Sequence, residues 1–256
     1  MKLTNKFLLP EGLVEVVTKH LHPPKPDRFG VVHLIAPPLI RTLQIERWDD
    51  IETDVSDYLW LLLGIGVDTV LSNTNTKDNI TQHKMEEIID GYTVVGVADI
   101  VNNSIIDDYK CTSVWSFLSG EKPDWTAQLN TYAYLLTLER RRNSVDIPVT
   151  QLRIQCILRD WTKSKTYEKD YPPIAFQVIN LDLWSFEQQE AYIKSRLRDH
   201  VENSHRECFN NKEEKWKSDD TYAVMQTGQK RALRVLDSED LAYSWCKEKN
   251  HKVGIN

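Results

Sequence analysis

The stretch Asp90-Gly91-Tyr92-Thr93-Val94-Val95-Gly96-Val97-Ala98-Asp99-Ile100-Val101-Asn102-Asn103-Ser104-Ile105-Ile106-Asp107-Asp108-Tyr109-Lys110-Cys111 organises this chain. Two β-rich runs are bounded by turn residues. Asp90-Gly91 suits a tight type I′ hairpin, which needs positive φ at both central residues. Asn102-Asn103-Ser104 marks a second turn. With the residues before Asp90, the pattern predicts three antiparallel strands, 83–89, 92–101 and 104–111. The middle strand is apolar at both parities (Val94, Val95, Val97, Ile100), which predicts burial on both faces.

Working outward, Pro123 opens a helix expected over 124–141. It starts with Asp124 and ends in Arg140-Arg141-Arg142, the charge order a helix dipole favours. Strands are expected at 151–161 and 174–183, then a long helix from 186 to about 208. A late hairpin, 221–225 and 231–236, is expected around Thr227-Gly228, and a closing helix over 237–249. On the other side, a helix over 13–21 is broken by His22-Pro23-Pro24-Lys25-Pro26, because proline lacks the amide donor and restricts its predecessor. Helices over 39–48 and 56–71 follow Pro37-Pro38, with Asp54 or Ser56 as N-cap of the second. This order predicts a mixed α/β domain, a central mixed sheet with a three-strand meander flanked by helices. The expected organisation is a single domain, 1–256. Its core is about 50–185, with a helical segment at 1–50 and an extension of helix and hairpin at 186–256.

Composition narrows the class. The 256 residues are 41% hydrophobic and 27% charged, with only 9 Gly and 10 Pro, which excludes collagen-like and low-complexity chains. A net charge of −6 excludes a simple polycation but leaves room for a local basic patch beside an acidic metal site. The longest apolar run, 59–67, is under half of the roughly 20 residues a membrane span requires. Phe7-Leu8-Leu9 is too short for the core of a signal peptide, so no membrane association and a cytoplasmic location are expected. Cys111, Cys156, Cys208 and Cys246 form no CxxC pair, which argues against zinc and for free thiols.

The chemistry concentrates in Asp99, Asp108 and Lys110. Asp108 and Lys110 are two apart on one strand, so they share a face. The hairpin brings Asp99 close to them across the ladder. Two carboxylates with a main-chain carbonyl give most of a shell for a hard divalent cation. A lysine beside them can position an attacking water or contact a scissile phosphate. Gln128 and Tyr132, four apart, share one face of the next helix and can hold the lysine or a nucleic-acid backbone. Each element has an ordinary reading too: a surface ion pair on a hairpin, and an amphipathic helix whose Tyr132 and Leu136 are core.

Gly96-x-x-Asp99, Asp108-Tyr109-Lys110 and Gln128-x-x-x-Tyr132, in that order on strand, strand and helix, resemble the RecB-type nucleases of the PD-(D/E)XK superfamily, most closely their phage-borne exonucleases. Asp54-Val55-Ser56-Asp57 with Gly64-Ile65-Gly66-Val67 is similar to that family's N-terminal helix. Ile157-Leu158-Arg159-Asp160-Trp161 and Tyr222-Ala223-Val224-Met225 resemble later segments. The likeness covers roughly 30–236. It departs from the family at Asp68, which stands where the RecB-type pattern has a histidine. Aspartate remains an oxygen ligand suited to magnesium or manganese, though a solvent-facing helix end is the ordinary alternative. Some relatives carry a four-cysteine iron–sulfur cluster. Here no cysteine precedes Asp99, so no cluster is expected.

The resemblance implies a restriction-endonuclease-like fold and magnesium- or manganese-dependent hydrolysis of DNA phosphodiesters, as in phage recombination or replication. Asp99, Asp108, the Tyr109 carbonyl and Asp68 would hold the metal, Lys110 would orient water, and Gln128 and Tyr132 would steady the strand. Arg140, Arg153, Arg159, Lys163, Lys230 and Arg231 are the basic candidates for DNA, with Arg159 and Lys163 foremost because they leave a core strand into a polar loop. Trp115 and Trp125 could stack on a frayed base or pack in the core. Linear duplex ends are the implied substrate, with a single-strand annealing protein as a partner by analogy and homo-oligomer assembly left open. Two alternatives stand beside this: a related nuclease for flaps, single strands or RNA, and a non-catalytic DNA-binding scaffold on the same fold.

Overall fold

The computed structural model describes residues 1–73, 79–120, 122–202, 220–226, 228–248 and 253–255. The chain divides into two units, 1–208 and 209–256. The first begins with β1 (Lys2–Thr4), α1 (Glu11–His20), β2 (Arg28–Gly30), α2 (Val31–Ile35), α3 (Pro38–Glu46), β3 (Glu52–Asp54) and α4 (Leu59–Ser72). Then follow β4 (Asn79–Ile89), β5 (Tyr92–Asn102), β6 (Ile105–Thr112), α5 (Val114–Leu118), α6 (Pro123–Arg142), β7 (Gln151–Leu158), β8 (Phe176–Leu181) and α7 (Phe186–Glu202). The second unit holds β9 (Tyr222–Gln226), β10 (Ala232–Leu236), α8 (Glu239–Glu248) and β11 (Val253–Ile255). Its three strands form an antiparallel sheet with β9 in the middle.

The first unit is built on a six-stranded mixed sheet in the order β2-β5-β6-β7-β8, with β4 also on β5. The meander β4-β5-β6 forms where the turn residues place it. Asp90 and Gly91 have φ of 48° and 85°, the two positive values a type I′ hairpin needs. Asn103, at φ 44°, supplies the next reversal. β5 pairs with β4 along its whole length, from Tyr92↔Ile89 to Asn102↔Asn79. Its other edge is divided: β2 pairs in parallel at Thr93–Val95 and β6 antiparallel at Ile100–Asn102. Between them, residues 96–99 have no ladder partner on that side, and β6 turns to pair in parallel with β7. Asp99 lies at this parting.

α6 lies across one face of the sheet. Its central stretch, residues 126–136, is buried throughout, including Leu129 and Leu135 at full burial. Fully burying such a side chain contributes about 1.5–3 kcal/mol. Pro at N1, Asp124 in the first turn and three arginines in the last suit a helix's ends. Asn130, fully buried in α6, donates to the Thr126 and Asp182 carbonyls and accepts from the Trp184 N–H and the Gln189 amide. A buried amide with all these bonds made fixes the β8–α7 connection against α6. On the other face lies α4. It is apolar on nearly every side, yet Leu59, Trp60, Leu61, Leu63 and Val70 are exposed. Leu62, Leu63, Gly66, Val67, Val70 and Leu71 line a groove with Ile157 of β7.

Several expectations need correction. β4 begins at Asn79, and β7 ends at Leu158, with Arg159-Asp160 in a turn rather than in the strand. Val97, expected to be buried, is 38% exposed, because its face of β5 lies at the open edge. The segment 1–50 is not purely helical, since β1 and β2 lie in it. Asp54 does cap, but it caps a 3-10 turn at Val55–Tyr58 that leads into α4, in a reciprocal box with Asp57. Residues 203–208 of the long helix, Thr227 of the hairpin and Lys249 of the closing helix lie outside the described residues.

Candidate active site

Asp99, Asp108, Lys110, Gln128 and Tyr132 come together around the parting of β5 and β6. Register across the short ladder (Val101↔Ile106, Ile100↔Asp107) brings Asp108 opposite Asp99. The strands separate there, and the Tyr109 N–H donates to Asp99 Oδ2 at 2.8 Å instead of to a strand carbonyl. Asp108 and Lys110 point towards α6, where Gln128 meets both. Lys110 Nζ donates to Gln128 Oε1 at 3.0 Å. Gln128 Nε2 donates to Asp108 Oδ1 at 3.1 Å and to Tyr132 Oη at 2.9 Å. Lys110 Nζ also stands 2.7 Å from Asp108 Oδ2. Asp108 Oδ2 is buried, with the Lys110 ammonium as its charged neighbour. Gly96 completes the packing: a Cβ there would come within 2.8 Å of the Tyr132 ring.

The electrostatics of the three acids run one way. Burial first, then the charges of Asp108 and Asp68, push the Asp99 carboxyl up to about 7. Burial raises Asp108, with Asp68 adding to it against the opposing Lys110. Burial also raises Asp68. Tyr132 is raised by burial and by Asp108. Buried neighbouring carboxylates that resist ionising, Asp99 and Asp108 foremost, are oxygen donors suited to a hard cation. Among the described residues, no group of three or more His, Cys, Asp or Glu side chains is gathered closely enough to hold a metal by side chains alone. The set therefore fits two carboxylates completed by main-chain oxygen and water.

Asp68 stands on α4 with its Oδ1 accepting from Gln82 Nε2 at 2.6 Å, a partner with no sequence signal. The basic candidates divide. Arg153 is bound at both nitrogens by Asp107, at 2.6 and 2.7 Å, with Gln155 on the same carboxylate. Arg140 donates to the Asn103 and Ile147 carbonyls and clasps two loops. Both arginines are thus engaged inside the fold. Arg159 and Lys163 are exposed; the Arg159 guanidinium lies 4.3 Å from the Trp60 ring centre, and its charge reaches Cys111 beside Lys110. Lys230 and Arg231 are exposed in the second unit. Trp125 packs against the core, whereas Trp115 is 76% exposed. Cys111, Cys156 and Cys246 carry free thiols, Cys156 being pushed up to about 11 by burial; Cys208 lies outside the described residues. No helix among the described residues is long and apolar enough to cross a membrane.

No protein-family model matches the chain, and no curated protein does. Solved structures similar to it include SSO0001, with 20% identity and a TM-score of 0.47 over 77% of this chain and 87% of that one. An alkaline exonuclease, LHK-Exo from Laribacter hongkongensis, has 8% identity and a TM-score of 0.41 over 70% and 90%. A phage related exonuclease from Haemophilus somnus 129PT has 14% identity and a TM-score of 0.33 over 58% and 68%. The last two carry the same class name as the motif resemblance, but at these values such neighbours assign no chemistry to this chain.

Proposed function

We propose that the chain is a divalent-metal-dependent DNA exonuclease of the PD-(D/E)XK kind, acting on linear duplex ends in phage recombination or replication beside a single-strand annealing protein. The observation that carries this is the continuous network Asp108–Lys110–Gln128–Tyr132 beside Asp99. Asp99 and Asp108 would hold magnesium or manganese with the Tyr109 carbonyl, and Asp68 would act on it through a bound water. Bound there, the cation polarises a phosphoryl oxygen and offsets charge in an in-line displacement. Lys110, held at Nζ by Gln128, orients the attacking water and faces the phosphate. Gln128 keeps the lysine and Asp108 in fixed relation, and Tyr132 holds the far end of that amide. Arg159 and Lys163 grip backbone phosphates, which gives affinity without sequence reading.

Linear duplex labelled at the 5′ or the 3′ end, incubated with magnesium or manganese, tests this. Cleavage from an end, sparing closed circles and absent in the Asp108→Ala, Lys110→Ala double variant, is the expected result. Preferential cutting of flaps, single strands or RNA assigns a different substrate to the same site. DNA binding without cutting by both proteins makes the chain a scaffold.

A further inference from the structure

Gln82 stands opposite Asp99 in the sheet and hydrogen-bonds Asp68, and we propose that it is a positioning residue for the cation site, fixing Asp68 relative to Asp99. The inference rests on the metal-dependent reading above. The pairs Thr81↔Ile100 and His83↔Ala98 bracket Gln82 directly opposite Asp99. At that point its backbone has φ 51°, in the left-handed region, inside an otherwise extended strand. A glutamine has a Cβ and no local hydrogen bond to favour this conformation, so the surroundings hold it there; such strain clusters at functional sites. Its side chain crosses to α4 and donates to Asp68 Oδ1 at 2.6 Å.

The three acids then follow one pattern. Each has one oxygen engaged by a neutral amide donor: Asp68 by the Gln82 side chain, Asp99 by the Tyr109 N–H, Asp108 by the Gln128 side chain. Asp108 differs in that its second oxygen is ion-paired with Lys110, so Asp68 and Asp99 are the two acids held by neutral donors alone. A neutral donor orients a carboxylate without adding a positive charge that would repel a cation. A lysine or arginine at position 82 would hold Asp68 equally well and compete with the metal. Outer-shell amides of this kind typically set metal affinity by about 10- to 100-fold.

The test is Mn²⁺ binding to the full, metal-free chain, followed by the electron paramagnetic resonance of free Mn²⁺. Gln82→Ala and Gln82→Gly both raise the Mn²⁺ Kd about tenfold, although glycine accepts the left-handed φ and melts no lower than alanine. In an Asp68→Ala background, Gln82→Ala adds less than about a twofold change, because the two act as one unit. An unchanged Kd in Gln82→Ala, with wild type binding Mn²⁺, overturns the proposal and leaves the nuclease reading standing. An equal further loss in the Asp68→Ala background also overturns it, since Gln82 would then act elsewhere. A wild type that binds no Mn²⁺ defeats the metal reading itself.

Discussion

Gly96→Ala is the substitution that most sharply separates a packed, working site from a coincidence of motifs. The added Cβ would lie 2.8 and 2.9 Å from two carbons of the Tyr132 ring and 3.1 Å from Leu135 Cδ1. An unstrained carbon contact is about 3.5 Å, so the ring must move by roughly 0.7 Å. Tyr132 is buried, and Leu135 behind it is fully buried, so α6 has little room to yield. Overpacking of this kind costs about 1–3 kcal/mol. The same displacement strains the 2.9 Å bond from Gln128 Nε2 to Tyr132 Oη, and Gln128 is what holds Lys110 and Asp108. Gly96→Ala therefore lowers both stability and turnover, the latter by on the order of 10- to 100-fold. Urea unfolding and single-turnover cleavage measure the two effects. In a double-mutant cycle, Tyr132→Leu makes room, so stability recovers in the pair while turnover stays low. A Gly96→Ala protein within about 0.5 kcal/mol of wild type, uncoupled from Tyr132, would refute this packing argument.

Three further predictions concern charge. The Asp99 carboxyl is raised to about 7, so the unfolded chain releases this proton at lower pH than the folded one, and the metal-free protein loses stability as pH rises from the ordinary carboxylate range through 7. Asp99→Asn flattens that loss, melting higher than wild type at pH 8 without metal and no longer gaining from added Mn²⁺; calorimetry across pH checks both signs. Lys110→Met lowers cleavage by about 10²–10⁴ while keeping Mn²⁺ binding, read by single-turnover kinetics and titration. Arg153→Ala leaves the buried Asp107 carboxylate with only Gln155, costing on the order of 2–3 kcal/mol in urea unfolding without changing the salt slope of DNA binding.

What the sequence disclosed was local. Asp90-Gly91 announces its own hairpin, and the Gln128–Tyr132 spacing announces a shared helix face, because both depend on residues within a few positions. What it hid was distant. Three-residue strands such as Arg28–Gly30 exist only because Arg28 meets Thr93, 65 positions on, so no local pattern reveals them. Arg153 reads as a free basic residue until parallel pairing sets it beside Asp107. The Val97 side chain reads as core because the pattern cannot show that β5 loses its neighbour midway. Gln82 gave no signal at all: an exposed polar residue in a strand becomes informative only when α4 brings Asp68 to it.

Anomalous diffraction from crystals of the full chain soaked in Mn²⁺ shows directly whether Asp99 and Asp108 hold the cation. A manganese peak is expected within roughly 2.5 Å of one oxygen each from Asp99 and Asp108, next to Lys110. Manganese bound only elsewhere, with these carboxylates unoccupied at saturating Mn²⁺, would contradict it.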